Sequence, residues 1–145
     1  MIRYLTVADL IAINGEMLRA MQGGALGVRD EGLLESAALR PRMAAHYEGA
    51  DLAGQAATLI AGIALAHAFV DGNKRTALLA GAVFLALNGQ ELTAQPLELA
   101  QRIEALVTHS GMLADAIEGF ADWIRQHSMA EQSKLNGDTD TNKEK

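Results

Sequence analysis

Apolar residues recur at helical spacing along most of this chain, most sharply near its centre. Leu52, Ala56, Leu59, Ile63, Ala66 and Val70 follow a 4-3-4-3-4 rhythm, one stripe of an α-helix. Ile60 and Ala64 lie off that stripe and are apolar too, so this helix is expected to be buried nearly all round. A second apolar run, 77–87, is broken only by Gly81 and predicts a helix over 73–88, stopped by Gly89. Ahead of this pair, Thr6 with Asp9 three residues later opens an amphipathic helix to about 21. Asp30 starts another, with Leu33, Leu34 and Ala37 on one side. It is expected to end before Pro41, because the residue preceding a proline disfavours helical angles. Asp51 caps the central helix, and Pro96 sits in the first turn of one reaching about 109. Gly111 separates that from a last amphipathic helix carrying Ile117, Phe120 and Ile124. GQELTA is a short extended piece, and no internal repeat is found. The pattern predicts an all-α fold: one helical domain over 1–127, then a polar tail, 128–145, too poor in large apolar residues to pack and expected to be disordered.

Composition sharpens this picture. Half of the 145 residues are hydrophobic and only 4% are aromatic, with Ala and Leu dominant, which favours close-packed helices over sheets. The two central apolar runs fall well short of the roughly 20 residues a membrane span needs. MIRYLTVADL has neither the basic nor the apolar segment of a signal peptide, so a cytoplasmic location is expected. Cysteine is absent, which excludes a disulfide framework and thiolate catalysis. A net charge of −6 argues against a general nucleic-acid binder but leaves room for a local basic site.

Between the two central helices stands HAFVDGNKRT, residues 67–76, a dense polar cluster between two nearly all-apolar runs. A turn needs only Asp-Gly or Asn-Gly; it has no use for His67, Lys74 and Arg75 beside them. Asn73, Lys74 and Arg75 open a helix, where first-turn amides are unpaired and carry partial positive charge. Cations there are unfavourable unless an anion is bound, and two of them beside free amides make a phosphate cradle. Gly72 would let the backbone approach that phosphate closely. Asp71 has two readings, a helix cap or a ligand for magnesium bridging phosphate oxygens. His67 is a candidate general base within one turn of the cradle. A purely structural polar turn stays open as the alternative. The stretch is not a Walker loop, since it follows a helix and lacks that loop's first glycine. His46, His109 and His127 have no partners at ligand-like spacing and read as surface or interhelical residues.

The run His67-Ala-Phe69-Val-Asp71-Gly72-Asn73-Lys74-Arg75-Thr76 resembles the signature of the Fic/Doc superfamily, and within it the Doc (death-on-curing) toxin branch. GVRDEGLLESAALRPRM before it and FLALNGQEL behind it resemble the flanks usual there, so that the likeness covers about 2–126. The resemblance implies a helical bundle with its active-site loop between two buried central helices. It makes His67 the general base toward a target hydroxyl and has Phe69 pack the loop on the core. Asp71 would bind magnesium, Gly72, Asn73 and the following amides would form an anion hole, and Lys74 and Arg75 would contact phosphates. AMP-transferring relatives generally have glycine where Lys74 stands and a second arginine at the position of Leu78, and both differences point to Doc. There the lysine goes with a reversed nucleotide, which implies ATP-dependent phosphorylation of a threonine on elongation factor Tu and arrest of translation. AMP transfer and a catalytically inactive binding module are the alternatives. Doc proteins can carry an arginine just before the motif histidine, where this chain has Leu65 and Ala66; Arg29 and Arg42 are the substitutes considered. No self-inhibitory helix is found, so the resemblance implies a separate Phd-like antitoxin, partly disordered, laid along a groove. The loop 23–29 is either a target-docking element or an ordinary glycine-rich connection.

Overall fold

The first three helices begin where a side-chain oxygen caps them, as the sequence indicates. The structure, a computed structural model, describes residues 1–131. Thr6 and Asp9 form a reciprocal capping box at the start of α1 (Val7–Ala20). Asp30 accepts from the Leu33 amide to open α2 (Glu31–Glu48), and Asp51 from the Gly54 amide to open α3 (Leu52–Ala66). α4 (Asn73–Leu87), α5 (Pro96–Val107, with proline in its first turn) and α6 (Leu113–Gln126) complete the helices.

α3 is the hub. It is buried on nearly every face, as its all-round apolar composition predicts, and α2, α4, α5 and α6 pack around it. The α3–α4 pair comes together closely because of Gly81. A Cβ at that position would lie 2.4 Å from Ile60 Cδ1, so only hydrogen lets the two helices approach to this distance. These two central helices are consecutive, and the polar loop closes their shared end.

α2 departs from expectation. It runs through Pro41 for another two turns and ends at Gly49 in the left-handed region. Proline inside a helix leaves a carbonyl without its donor and costs about 3 kcal/mol in an exposed helix. Here Leu34, Ala37, Pro41 and Ala44 form one buried stripe against α3, and burial of the proline ring offsets the lost bond. The i, i+3, i+7, i+10 spacing outweighs the local breaker.

The second departure is at 128. Ser128–Ala130 form β2, antiparallel to β1 (Gln90–Leu92), with Gln90 opposite Ala130 and Leu92 opposite Ser128. Thr93 donates to the His127 carbonyl at 2.7 Å and Glu131 to the Gly89 carbonyl at 2.8 Å, extending the pairing. The tail expected from 128 therefore begins with an ordered strand, held by backbone groups that need no apolar side chains. The remainder of that expected tail, 132–145, lies outside the described residues.

Arg125 fastens α6 to the start of α3. Its Nε and Nη2 meet the two carboxylate oxygens of Asp51 at 2.8 and 3.0 Å, with Glu118 and Asp122 also beside the guanidinium. The hydrogen bond from Arg125 holds the Asp51 carboxyl below the usual carboxylate range, and the Gly54 amide adds to it. Among the described residues no helix is long and apolar enough to cross a membrane.

Candidate active site

α3 ends at His67, whose backbone turns into the left-handed region at φ 52° and ψ 40°. Glycine is the usual occupant of such a position, and a side chain held there is mildly strained. Strain of this kind is retained where the side chain has a use. The loop that follows is pinned from below. Phe69 is buried in the core as expected, and Ala68 beside it. The Asn73 amide side chain grips the Phe69 backbone from both directions, Oδ1 accepting its N–H and Nδ2 donating to its carbonyl, each at 3.0 Å. The side chain of Asn73 thus shapes the loop, and its main chain is what can face an anion.

Gly72 is the N-cap of α4 with φ 76°, and no side-chain cap bonds the first turn of the helix. The amides of Asn73, Lys74 and Arg75 open α4 uncapped, which is the electrostatic requirement for anion binding. A Cβ on Gly72 would sit 2.4 Å from Met17 Cε, so α1 packs directly beneath the turn. The Gly72 N–H donates to Asp71 Oδ1 at 2.8 Å.

These groups converge on one cavity of about 490 Å³. His67, Asp71, Gly72, Asn73, Lys74 and Arg75 all line it, and Met17, Leu18 and Met21 of the α1 end supply an apolar wall. Its composition, a few convergent polar groups beside an apolar face, is that of a small-molecule site. Both cations are exposed and have partners. Lys74 Nζ is 2.7 Å from Glu104 Oε2 on α5, and Arg75 Nη1 is 2.8 Å from the Met21 sulfur. The His67 imidazole is exposed and makes no hydrogen bond among the described residues.

Among the described residues Asp71 is the one carboxylate lining the cavity, and they contain no cluster of His, Asp and Glu able to cage a metal. A single carboxylate fits magnesium, which takes one or two protein oxygens and completes its shell with phosphate oxygens and water. Asp71 is exposed at the cavity, and its Oδ2 lies close against Gly24, where a Cβ would come within 2.9 Å of that oxygen and 2.6 Å of Leu18 Cδ2.

The loop 23–29 lies against the polar loop through main-chain bonds. Val28 bridges Phe69, Val70 N–H donates to the Gly27 carbonyl at 3.0 Å, and the amides of Arg29 and Asp30 donate to Ala68. The Arg29 side chain is not among those lining the cavity, and Arg42 lies elsewhere, over the Tyr4 ring at 4.7 Å from its centroid. Leu65 lines a different hollow, between α2 and α3. His46 abuts Tyr47, while His109 and His127 bond the carbonyls of Leu106 and Trp123. Sequence reasoning missed Asn14. It is buried on the apolar face of α1 and donates to the Asp71 carbonyl at 2.9 Å and to Thr76 Oγ1 at 3.0 Å. An asparagine on the Leu10–Met17–Leu18 stripe was the signal available.

The model of the Fic/DOC family matches residues 4–85, taking in α1, the central pair and the whole loop. The chain belongs to the Fic/DOC family. Two relatives put it in that family's death-on-curing branch. The toxin Doc of Mycolicibacterium smegmatis is 47% identical over 76 residues, half of this chain and 57% of its own length. The protein kinase doc of Escherichia phage P1 is 35% identical over 95 residues, 65% of this chain and 75% of its own. The match thus spans a little over half of the first of these relatives. The all-α fold with the loop between two central helices agrees with Fic/DOC membership.

Proposed function

We propose that this Fic/DOC chain is the toxin of a toxin–antitoxin pair and acts as an ATP-dependent protein kinase on a threonine of elongation factor Tu. One observation carries the reading: an uncapped helix N-terminus, two cations, one carboxylate and an imidazole line a single cavity. The names of the toxin and kinase relatives support it.

The residues divide the work. The α4 amides and the side chains of Lys74 and Arg75 hold the phosphates, Lys74 leaving Glu104 to do so. Asp71 is the carboxylate that would hold magnesium, and the ion would supply positive charge to the phosphates. His67 accepts the threonine proton as the hydroxyl oxygen bonds to the γ-phosphorus. The bond from that phosphorus to the β–γ bridging oxygen breaks, and ADP departs with the negative charge. By resemblance, Lys74 goes with a reversed nucleotide, and Leu78 in place of a second arginine points to Doc and not to AMP transfer.

An antitoxin also fits. Between α1 and α4 runs an apolar groove of about 620 Å³, with Ile13, Leu79, Val83 and Leu87 in its walls and Asp9 and Glu16 at its rim. An amphipathic segment with basic flanks suits it. The function is tested by incubating purified protein with ATP, magnesium and elongation factor Tu and weighing the product. A phosphate adduct is expected; an adenylate adduct would make the chain an AMP transferase, and an unmodified factor would remove this target.

A further inference from the structure

Asn14 stands on the buried face of α1, 2% exposed, among Leu10, Met17 and Leu18. A primary amide in that setting is costly unless its hydrogens are used. Both are, and neither serves α1 itself. The two bonds reach Asp71 and Thr76, 57 and 62 positions away. A leucine would satisfy the packing of this stripe, so the asparagine is there for what it holds.

What it holds is a peptide group that has little else to orient it. Residue 72 takes the left-handed region at φ 76°, which strongly favours glycine. Glycine, however, leaves the 71–72 peptide free to rotate at small cost. The Asn14 bond to the Asp71 carbonyl fixes that plane. The opposite edge of that peptide presents the Gly72 N–H to Asp71 Oδ1, which sets the carboxylate at the cavity, with Oδ2 beside Gly24. The second bond, to Thr76, ties the same side chain to the first turn of α4, where the Thr76 N–H meets the Gly72 carbonyl at 2.9 Å.

We infer that Asn14 is a positioning residue: by clamping the 71–72 peptide against α4 it sets the Asp71 carboxylate and the first-turn amides for a magnesium-bound phosphate. The inference rests on the nucleotide reading above. It assigns to α1, outside the polar loop, control over the geometry of that loop.

The test titrates magnesium at fixed ATP, without target protein, and follows nucleotide binding by calorimetry alongside thermal melting. The wild-type chain is compared with Asn14→Ala, with Asn14→Ser, whose hydroxyl can still donate one hydrogen, and with Leu10→Ala, a cavity on the same face of α1. Asn14→Ala is expected to raise the magnesium concentration at half-saturation about tenfold, the loss of one buried hydrogen bond to a restraining carbonyl. Asn14→Ser should fall between it and the wild type, and Leu10→Ala should lower the melting temperature without moving the magnesium midpoint. Should Asn14→Ala fail to fold, Asn14→Ser carries the comparison. An unchanged midpoint in a folded Asn14 variant overturns the inference and leaves the nucleotide reading standing. So does an equal shift in Leu10→Ala, which would make the effect one of stability alone. Failure of the wild type to bind ATP at all removes the nucleotide reading and this inference with it.

Discussion

His67 is held in a backbone conformation that glycine would adopt more cheaply, and its imidazole reaches the cavity without a hydrogen-bond partner among the described residues. Replacing it by alanine is expected to cut phosphate transfer by about 10²–10⁴-fold, the usual worth of a general base. Growth arrest should disappear while the melting temperature holds, since an exposed side chain contributes little to folding. Lys74 offers a subtler test. Its ammonium pairs with Glu104 at the rim, where both groups are about half exposed, so a bound phosphate has to displace a carboxylate. Glu104→Gln should tighten ATP binding by up to about fivefold, the ceiling for an exposed ion pair, as read by calorimetry at low salt. At this scale the sequence was informative where residues are too costly for a plain turn. His67, Lys74 and Arg75 stand out for that reason, and all three line the cavity with Asp71. It placed Asn73 in the anion hole but did not show that its side chain grips Phe69, because composition does not distinguish a loop clamp from an anion contact. Arg42 was misjudged since nothing in the order of residues shows that it covers Tyr4.

Helix starts were legible because caps are local chemistry: Thr6, Asp30 and Asp51 each bond an amide within three residues. Interruptions were not, because they depend on what lies across the interface. Pro41 continues α2 by virtue of its contact with α3, and β2 exists by virtue of β1. The same dependence makes Gly81 a sensitive point. Alanine there would press on Ile60 Cδ1, and a loss of about 1–3 kcal/mol is expected from overpacking, visible as a lower urea midpoint. The α6 fastening predicts a pH response. Asp51 titrates below its ordinary 3.8 in the folded chain. Its contribution to stability is therefore present above that pH and is lost as pH falls through the lower folded value. Arg125→Met should flatten this acid limb, by under about 1 kcal/mol because the pair is partly exposed, as measured by denaturant melts from neutral pH to below 3.8.

The whole molecule places two surfaces on α4. Its first turn faces the cavity, while Leu79, Val83 and Leu87 further along line the groove against α1. Leu79→Glu with Val83→Glu should abolish binding of the proposed antitoxin, read by co-purification. ATP binding should be retained, because both side chains are exposed and neither lines the cavity. The connection at 23–29 has a different consequence. It is sewn to the reactive loop by carbonyls and amides, while Ala25 and Leu26 point outward. Ala25 and Leu26 can therefore vary without breaking that seam, whereas Gly24, at φ 100° and packed on Leu18 and Asp71, cannot.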